Sequence, residues 1–340
     1  MSATPAGGAA IASRAGEIVG ALPPRGSRRR KRSRVARTDP WTVAILMSPW
    51  VIGFALFLIY PMVASLFYSF TRYDILSPPQ WVGLLNYRYM FTKDPYFWTA
   101  VGNTVWMIVL GVPIKVLFSV VTAVILTRPR KGLRVYRTMV FLPSMVPAVA
   151  ATLGFVFLMS PKNGPINQLL RLIGIQHPPA WFFNPTWSKP ALLVLALWGI
   201  GDGMLVYLAG LLDVPRHLHE AASIEGAGAW QRFRYVTLPM ISPVIFFSLV
   251  TGVIDSFQYF TEAYVASSAA SGQSDILGTP QGSTLFYSTW LYKQGFSYFH
   301  MGYASALAWI LFAVTMACTL VIIKTSNRWV FYQGGGGIIR

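Results

Sequence analysis

Six apolar runs, centred near Ala55, Val112, Val149, Ala196, Leu249 and Phe312, limit this chain more than any other feature. Each is long enough for a helix that crosses a bilayer, which takes about 20 residues at 1.5 Å of rise. The spans are expected near 42–68, 99–126, 137–159, 190–212, 240–262 and 304–324. Only 11% of the residues are charged and 54% are hydrophobic, whereas a soluble domain is roughly 25% charged. The fold class is therefore all-α integral membrane, with six transmembrane helices. Pro49, Pro61, Pro113, Pro143 and Pro147 fall within the runs. Neighbouring helices in a membrane bundle can re-satisfy the backbone groups that proline frees.

Charge sets the expected orientation. The segments before the first span, between two and three, between four and five, and after six hold 9, 5, 3 and 3 Lys/Arg; the other loops hold 3, 3 and 1. Basic residues collect on the cytoplasmic side, so both termini and the 213–239 connector are expected there, in a multi-pass protein of the cell membrane. The net charge of +17 lies in short clusters beside apolar runs. That is a pattern of topology determinants rather than a groove for nucleic acid. Residues 1–40, with Arg28-Arg29-Arg30-Lys31-Arg32, read as a flexible basic cytoplasmic tail without a cleavable signal. The membrane domain is expected over 41–330 and a short flexible tail over 331–340. The single cysteine, Cys318, rules out an intrachain disulfide and a Cys-cluster metal site.

The connectors 160–189 and 263–303, expected outside, are rich in Pro, Trp, Tyr and Gly. Trp181, Phe182, Phe183 and Trp187 suit either an interfacial aromatic belt or a docking surface for an external partner. The connector that ends Glu220–Pro239 (EAASIEGAGAWQRFRYVTLP) exceeds the roughly 2–8 residues needed to join two helices. Ala221 and Ala222 are strong helix formers of little bulk, so a second subunit can approach closely. Glu220, expected near a helix start, suits the macrodipole and can pair with a cation across an interface. Gly226 can take a positive φ and end that helix, so that Ala227–Tyr235 leaves at an angle.

Glu220-Ala221-Ala222, Gly226-Ala227, Gln231, Phe233 and Thr237-Leu238-Pro239 resemble the EAA loop of bacterial ABC importer permeases. Asn86-Tyr87 after Val82-Gly83, Arg137–Pro147 and Gly302-Tyr303-Ala304-Ser305-Ala306 extend the resemblance over most of 41–330. The similarity is to the carbohydrate-uptake permeases of the maltose-permease type. It implies a type I importer permease fold in which Glu220, Ala221, Ala222, Glu225, Gly226, Ala227, Gln231, Phe233, Leu238 and Pro239 dock into a separate ATPase. The implied partners are a second homologous permease, two copies of that ATP-binding subunit, an external solute-binding protein and membrane lipid. ATP and Mg would be bound by the ATPase. The chain departs from the family at Glu225, usually Asp, and at Ala266–Ser274 (ASSAASGQS), where sugar permeases commonly read T-G-G-P.

Polar groups within the membrane usually face a bundle interior or a water-filled cavity. Asp255, Gln258, Tyr259 and Glu262 follow i, i+3, i+4, i+7 spacing and are predicted to share one face of the fifth helix. Carboxylate, amide and aromatic ring together suit a sugar, whose hydroxyls need donors and acceptors and whose C–H faces stack on rings. Span four adds Trp198 and Asp202 beside Gly199, Gly201 and Gly203. Alternatively, Asp255 neutralises Lys115 and Glu262 is solvated at the interface. Tyr303 and Trp309 read as packing. His217 and His219 lack acidic or Cys company and read as a solvated loop rather than a metal site. There is no Walker A pattern and no hydrolase triad, so neither a catalytic residue nor a cofactor is expected in this chain. The expected function is the permease half of an ATP-driven importer for a disaccharide or oligosaccharide. Glycerophosphodiester is the alternative cargo, and an ion-coupled secondary transporter the alternative class.

Overall fold

The computed structural model describes residues 40–272 and 278–331. The two expected tails, apart from Pro40 and Phe331, lie outside the described residues. The chain divides after Ile59 into two compact units. The first contains the helix Pro40–Phe54, with Pro49 inside it, and the π-turn Ala55–Ile59. Trp50 stacks on Phe54 there at 5.4 Å. The second unit, from Tyr60 onward, is also mostly helical.

Three stretches are long and apolar enough to cross a membrane: Trp41–Ser69, Phe97–Thr127 and Met301–Ser326. They coincide closely with the first, second and sixth expected spans. The other three are not continuous helices, which corrects the sequence reading. Leu133–Met145 meets Ala148–Leu158 at 98°, Pro185–Trp198 meets Gly201–Leu212 at 50°, and Ala229–Met240 meets Ser242–Phe257 at 63°. If each bent pair is one span, the described residues contain up to six.

Proline chemistry accounts for the first break and for two of the continuities. Val146 is extended, at φ −76° and ψ 129°, because the ring of Pro147 disfavours the helical region for the residue before it. Pro49 and Pro190 sit inside helices that run on without a wider turn before them, whereas at Pro113 and Pro239 the ladder widens first. The π-turn Met107–Gly111 ends two residues before Pro113, and the Val112 N–H reaches back to Met107 O. Phe233–Thr237 stands in the same relation to Pro239, with the Leu238 N–H donating to Phe233 O. One extra residue in the turn carries the backbone past the carbonyl that the ring would strike.

The connectors hold more structure than their composition suggested. Between the first two spans, Thr71–Arg72 and Gln80–Trp81 form a short antiparallel ribbon in the register Thr71↔Trp81, Arg72↔Gln80. The helix Leu85–Thr92 follows it. The Asn86 amide donates to Ser69 O at 2.8 Å and Thr71 O at 2.9 Å, and the Tyr87 hydroxyl to Ser69 Oγ at 2.8 Å. Gly302 packs against this ribbon so closely that a Cβ there would sit 2.1 Å from Thr71 O. The 263–303 segment is not simply a surface loop. Its helices Thr261–Ser271 and Tyr287–Tyr292 send Ala263, Ala266 and Trp290 into the core, and Phe286, just before the second, is buried with them. Phe182, read as part of an aromatic belt, is buried with Ala263 and Phe286, and Trp181 donates to Asn167 Oδ1 at 2.7 Å. Phe183 and Trp187 are exposed.

A buried carboxylate ties these pieces together. Asp94 is 5% exposed. Its Oδ1 accepts from the backbone N–H of Tyr96 at 2.8 Å and Phe97 at 3.1 Å, at the start of the second span. Its Oδ2 accepts from Trp290 Nε1 at 2.8 Å and from the Tyr303 hydroxyl. Tyr303, read from sequence as packing, is thus also a hydrogen-bond donor. Nearby, burial pushes the Tyr287 phenol well above its ordinary value, and the Asp94 charge adds to the effect. Asp94→Leu leaves four donors without their acceptor and is expected to cost about 3 kcal/mol or more. Thermal unfolding of the detergent-solubilised chain should show the midpoint falling by ~6 °C or more, whereas an unchanged midpoint would remove Asp94 from this role.

Candidate functional site

A cavity of about 400 Å³ forms where the helices are interrupted. Pro143, Ser144, Val146 and Ala148 come from the first break, Trp198, Gly199 and Asp202 from the second, and Gln258–Glu262 from the end of the fifth span. Lys115 reaches it from the second span and Asp255 from the last turn of Ser242–Phe257. All five predicted substrate contacts, Trp198, Asp202, Asp255, Gln258 and Tyr259, line this one cavity.

They do so by a different geometry from the one predicted. The helix ends at Phe257, Gln258 is its C-cap at φ −98° and ψ 10°, and Phe260 lies at φ −131° and ψ −61° before Thr261–Ser271 begins. Asp255, Gln258, Tyr259 and Glu262 therefore do not share one continuous helical face. The turn between two helices brings them together instead. Asp255 and Lys115 line the same cavity, but among the described residues neither an ion pair nor a hydrogen bond joins them, so the neutralising pair of the alternative reading is not formed. Asp202, Asp255, Gln258 and Lys115 are all exposed in the isolated chain. The Tyr259 ring packs edge-on against Phe286 at 5.1 Å, and its hydroxyl is buried without a hydrogen-bond partner. The backbone at Pro143–Val146 and Phe260–Thr261 completes a lining that the side-chain pattern did not reveal. Pro143 and Pro147 were the sequence signal for the first of these segments, and the second had none.

The second feature is the Glu220–Pro239 connector. Its helix runs Arg216–Ile224, opening directly after Pro215. Glu220 therefore sits mid-helix rather than at the start, and the macrodipole argument for it does not hold. The helix ends as expected at Gly226, which has φ +81°. The Gly226 N–H donates to Ser223 O at 3.1 Å and the Ala227 N–H to Ala222 O at 2.9 Å, the paired bonds of a Schellman ending. Gly228 then opens the helix Ala229–Arg232, with Gln231 Oε1 accepting from the Gly228 N–H at 2.7 Å. Arg232 donates to Ser223 Oγ at 3.2 Å and so braces the two arms. Trp230 stacks on Phe233 at 5.7 Å.

Of the ten predicted coupling residues, Glu220, Ala221, Glu225, Gly226 and Gln231 are exposed, while Ala222, Ala227, Phe233, Leu238 and Pro239 are half-buried. Ile224, Trp230 and Tyr235 present 88%, 71% and 72% of their surface to solvent. His217 and His219 lie on the same helix, and no group of three metal-ligating side chains occurs among the described residues.

Residues 115–332 match the family described as the binding-protein-dependent transport system inner membrane component. The probable ABC transporter permease protein YesP of Bacillus subtilis (strain 168) is 41% identical over 303 residues, covering 89% of this chain and 96% of that protein. The lactose transport system permease protein LacF of Rhizobium radiobacter is 31% identical over 287 residues, covering 82% of this chain and 91% of LacF. Among solved structures, a chain of a bacterial alginate ABC transporter in complex with an alginate pentasaccharide-bound periplasmic protein superposes with a TM-score of 0.68. It covers 85% of this chain and 94% of its own at 23% identity, a likeness of fold.

The connector's shape depends on one left-handed residue. Gly226→Val places a β-branched side chain at positive φ, at an expected cost of roughly 1–2 kcal/mol, and should fray the end of Arg216–Ile224. Limited proteolysis should then show faster cleavage between Glu225 and Trp230 than in the wild type. Equal rates would mean that the ending does not depend on Gly226.

Proposed function

The chain belongs to the binding-protein-dependent transport system inner membrane components, as a multi-pass bacterial plasma-membrane permease of the carbohydrate-uptake ABC type. From that premise we propose that it forms half of the translocation pathway for a neutral disaccharide or oligosaccharide. The observation that carries this reading is the meeting of Trp198, Asp202, Asp255, Gln258 and Tyr259 in one cavity. An aromatic face, an amide and carboxylates in one space of this size match the alternating C–H and hydroxyl surfaces of a sugar. Asp202, Asp255 and Glu262 outnumber Lys115 along the lining, which disfavours a phosphodiester or an acidic sugar. The cargo named for LacF supports the saccharide class.

In this reading each bent pair is one span, giving six, and the distribution of Lys and Arg places both termini in the cytoplasm. The basic 1–40 segment is then a cytoplasmic tail. The exposed Ile224, Trp230 and Tyr235 lie on the Glu220–Pro239 loop, which docks into a separate ATPase subunit that holds ATP and Mg. Two copies of that subunit, a second homologous permease and an external binding protein complete the complex. Closure of the ATPases tilts spans four and five through the loop, and this chain supplies no covalent chemistry.

Affinity purification in mild detergent should bring down an ATP-binding subunit, and its absence would overturn the importer reading. In the reconstituted complex, Asp255→Asn and Gln258→Ala are each expected to lower saccharide uptake about tenfold, the equivalent of one hydrogen bond. Glu220→Lys should abolish uptake by uncoupling it from ATP. If both cavity variants transport normally while Glu220→Lys does not, the cavity assignment fails and the coupling role stands.

A further inference from the structure

We propose that the segment between the first two spans, residues 70–93, holds the phosphodiester of an anionic phospholipid. A cavity of about 380 Å³ lies between the ribbon and the Leu85–Thr92 helix, lined by Arg72, Asn86, Arg88, Tyr89, Thr92 and Lys93 with two apolar residues. Three cations line it and no acid does. Among the described residues the charged heads of Arg72, Arg88 and Lys93 have no hydrogen bond or ion pair, and the Tyr89 hydroxyl has no hydrogen-bond partner. Like charges gathered in one concavity repel unless an anion neutralises them. Guanidinium forks and an ammonium are the groups that match phosphate oxygens, the former bidentately.

The frame that carries these cations is fixed before any ligand arrives. Arg72 is held in register opposite Gln80. The Asn86 amide clamps the carbonyls of Ser69 and Thr71, and the Gly302 N–H donates to Tyr73 O at 3.0 Å. A lipid fits this position better than free phosphate. The segment begins directly after the helix Tyr60–Ser69 and ends just before the span that starts at Phe97, which puts it at the membrane surface. Trp81, Leu84 and Trp98 nearby are 65%, 67% and 59% exposed, an apolar fringe of the kind found at headgroup depth. The inference rests on the chain's membrane placement alone, not on its cargo or its coupling.

Native mass spectrometry of the full chain, released from micelles doped equally with phosphatidylglycerol and phosphatidylcholine, tests the site. The wild type should retain phosphatidylglycerol in preference. Each cation near a charged headgroup contributes about five-fold, so Arg72→Gln or Arg88→Gln should each lower that retention about five-fold, and the double variant on the order of twenty-fold. The control pair Lys162→Gln and Arg171→Gln, which removes equal charge elsewhere, should leave it unchanged. Exposed side chains are altered throughout, so the thermal midpoint should stay at the wild-type value. Retention unaffected by Arg72 and Arg88, or lowered equally by the control, overturns the proposal. Millimolar inorganic phosphate should not displace the lipid, and displacement would overturn the lipid source in favour of a free oxyanion.

Discussion

The intrahelical hydrogen-bond ladder is the constraint on which the rest of this structure depends. In hydrocarbon a freed N–H or C=O has no water to turn to, so a membrane helix can stop only where protein or a polar cavity receives its ends. This chain stops its helices near Pro147, at Gly199-Ile200 and after Phe257, and the cavity lined by Asp202 and Asp255 opens at those points. At Pro113 the ladder instead widens into a π-turn and continues. Breaks and bulges are thus two answers to one chemical problem.

That distinction explains what was legible in the sequence. The three uninterrupted spans were readable because length and hydropathy alone define them. The bent pairs were not, because apolar composition is the same on either side of a bend. Helical periodicity placed Asp255, Gln258, Tyr259 and Glu262 together on a single face. They do converge, but through a turn that begins at Gln258. They line one cavity all the same because residues three to seven apart stay neighbours whether the chain coils or folds back. Asp94 gave no signal at all: its partners Trp290 and Tyr303 lie about two hundred positions away, and one acidic residue in a connector resembles any solvated one.

The Glu220–Pro239 loop shows the opposite balance. Its local instructions were strong, and Gly226 ends the helix through the bonds its left-handed backbone permits. The misplacement of Glu220 arose because the helix opens directly after Pro215, a full turn earlier than the Glu-Ala-Ala triplet suggests. Ile224 and Trp230 stay exposed on this otherwise braced element.

The buried Asp94 has a mechanical consequence. By joining the start of the second span, the Tyr287–Tyr292 helix and the first turns of the sixth span, it makes them one stator. Relative motion within that group would expose a desolvated carboxylate, so these three elements are bound to keep one arrangement. The carboxylate does not itself touch the bent pair carrying Trp198 and Asp202 or the Glu220–Pro239 connector, and Gly201–Leu212 meets that group only by packing along the second span.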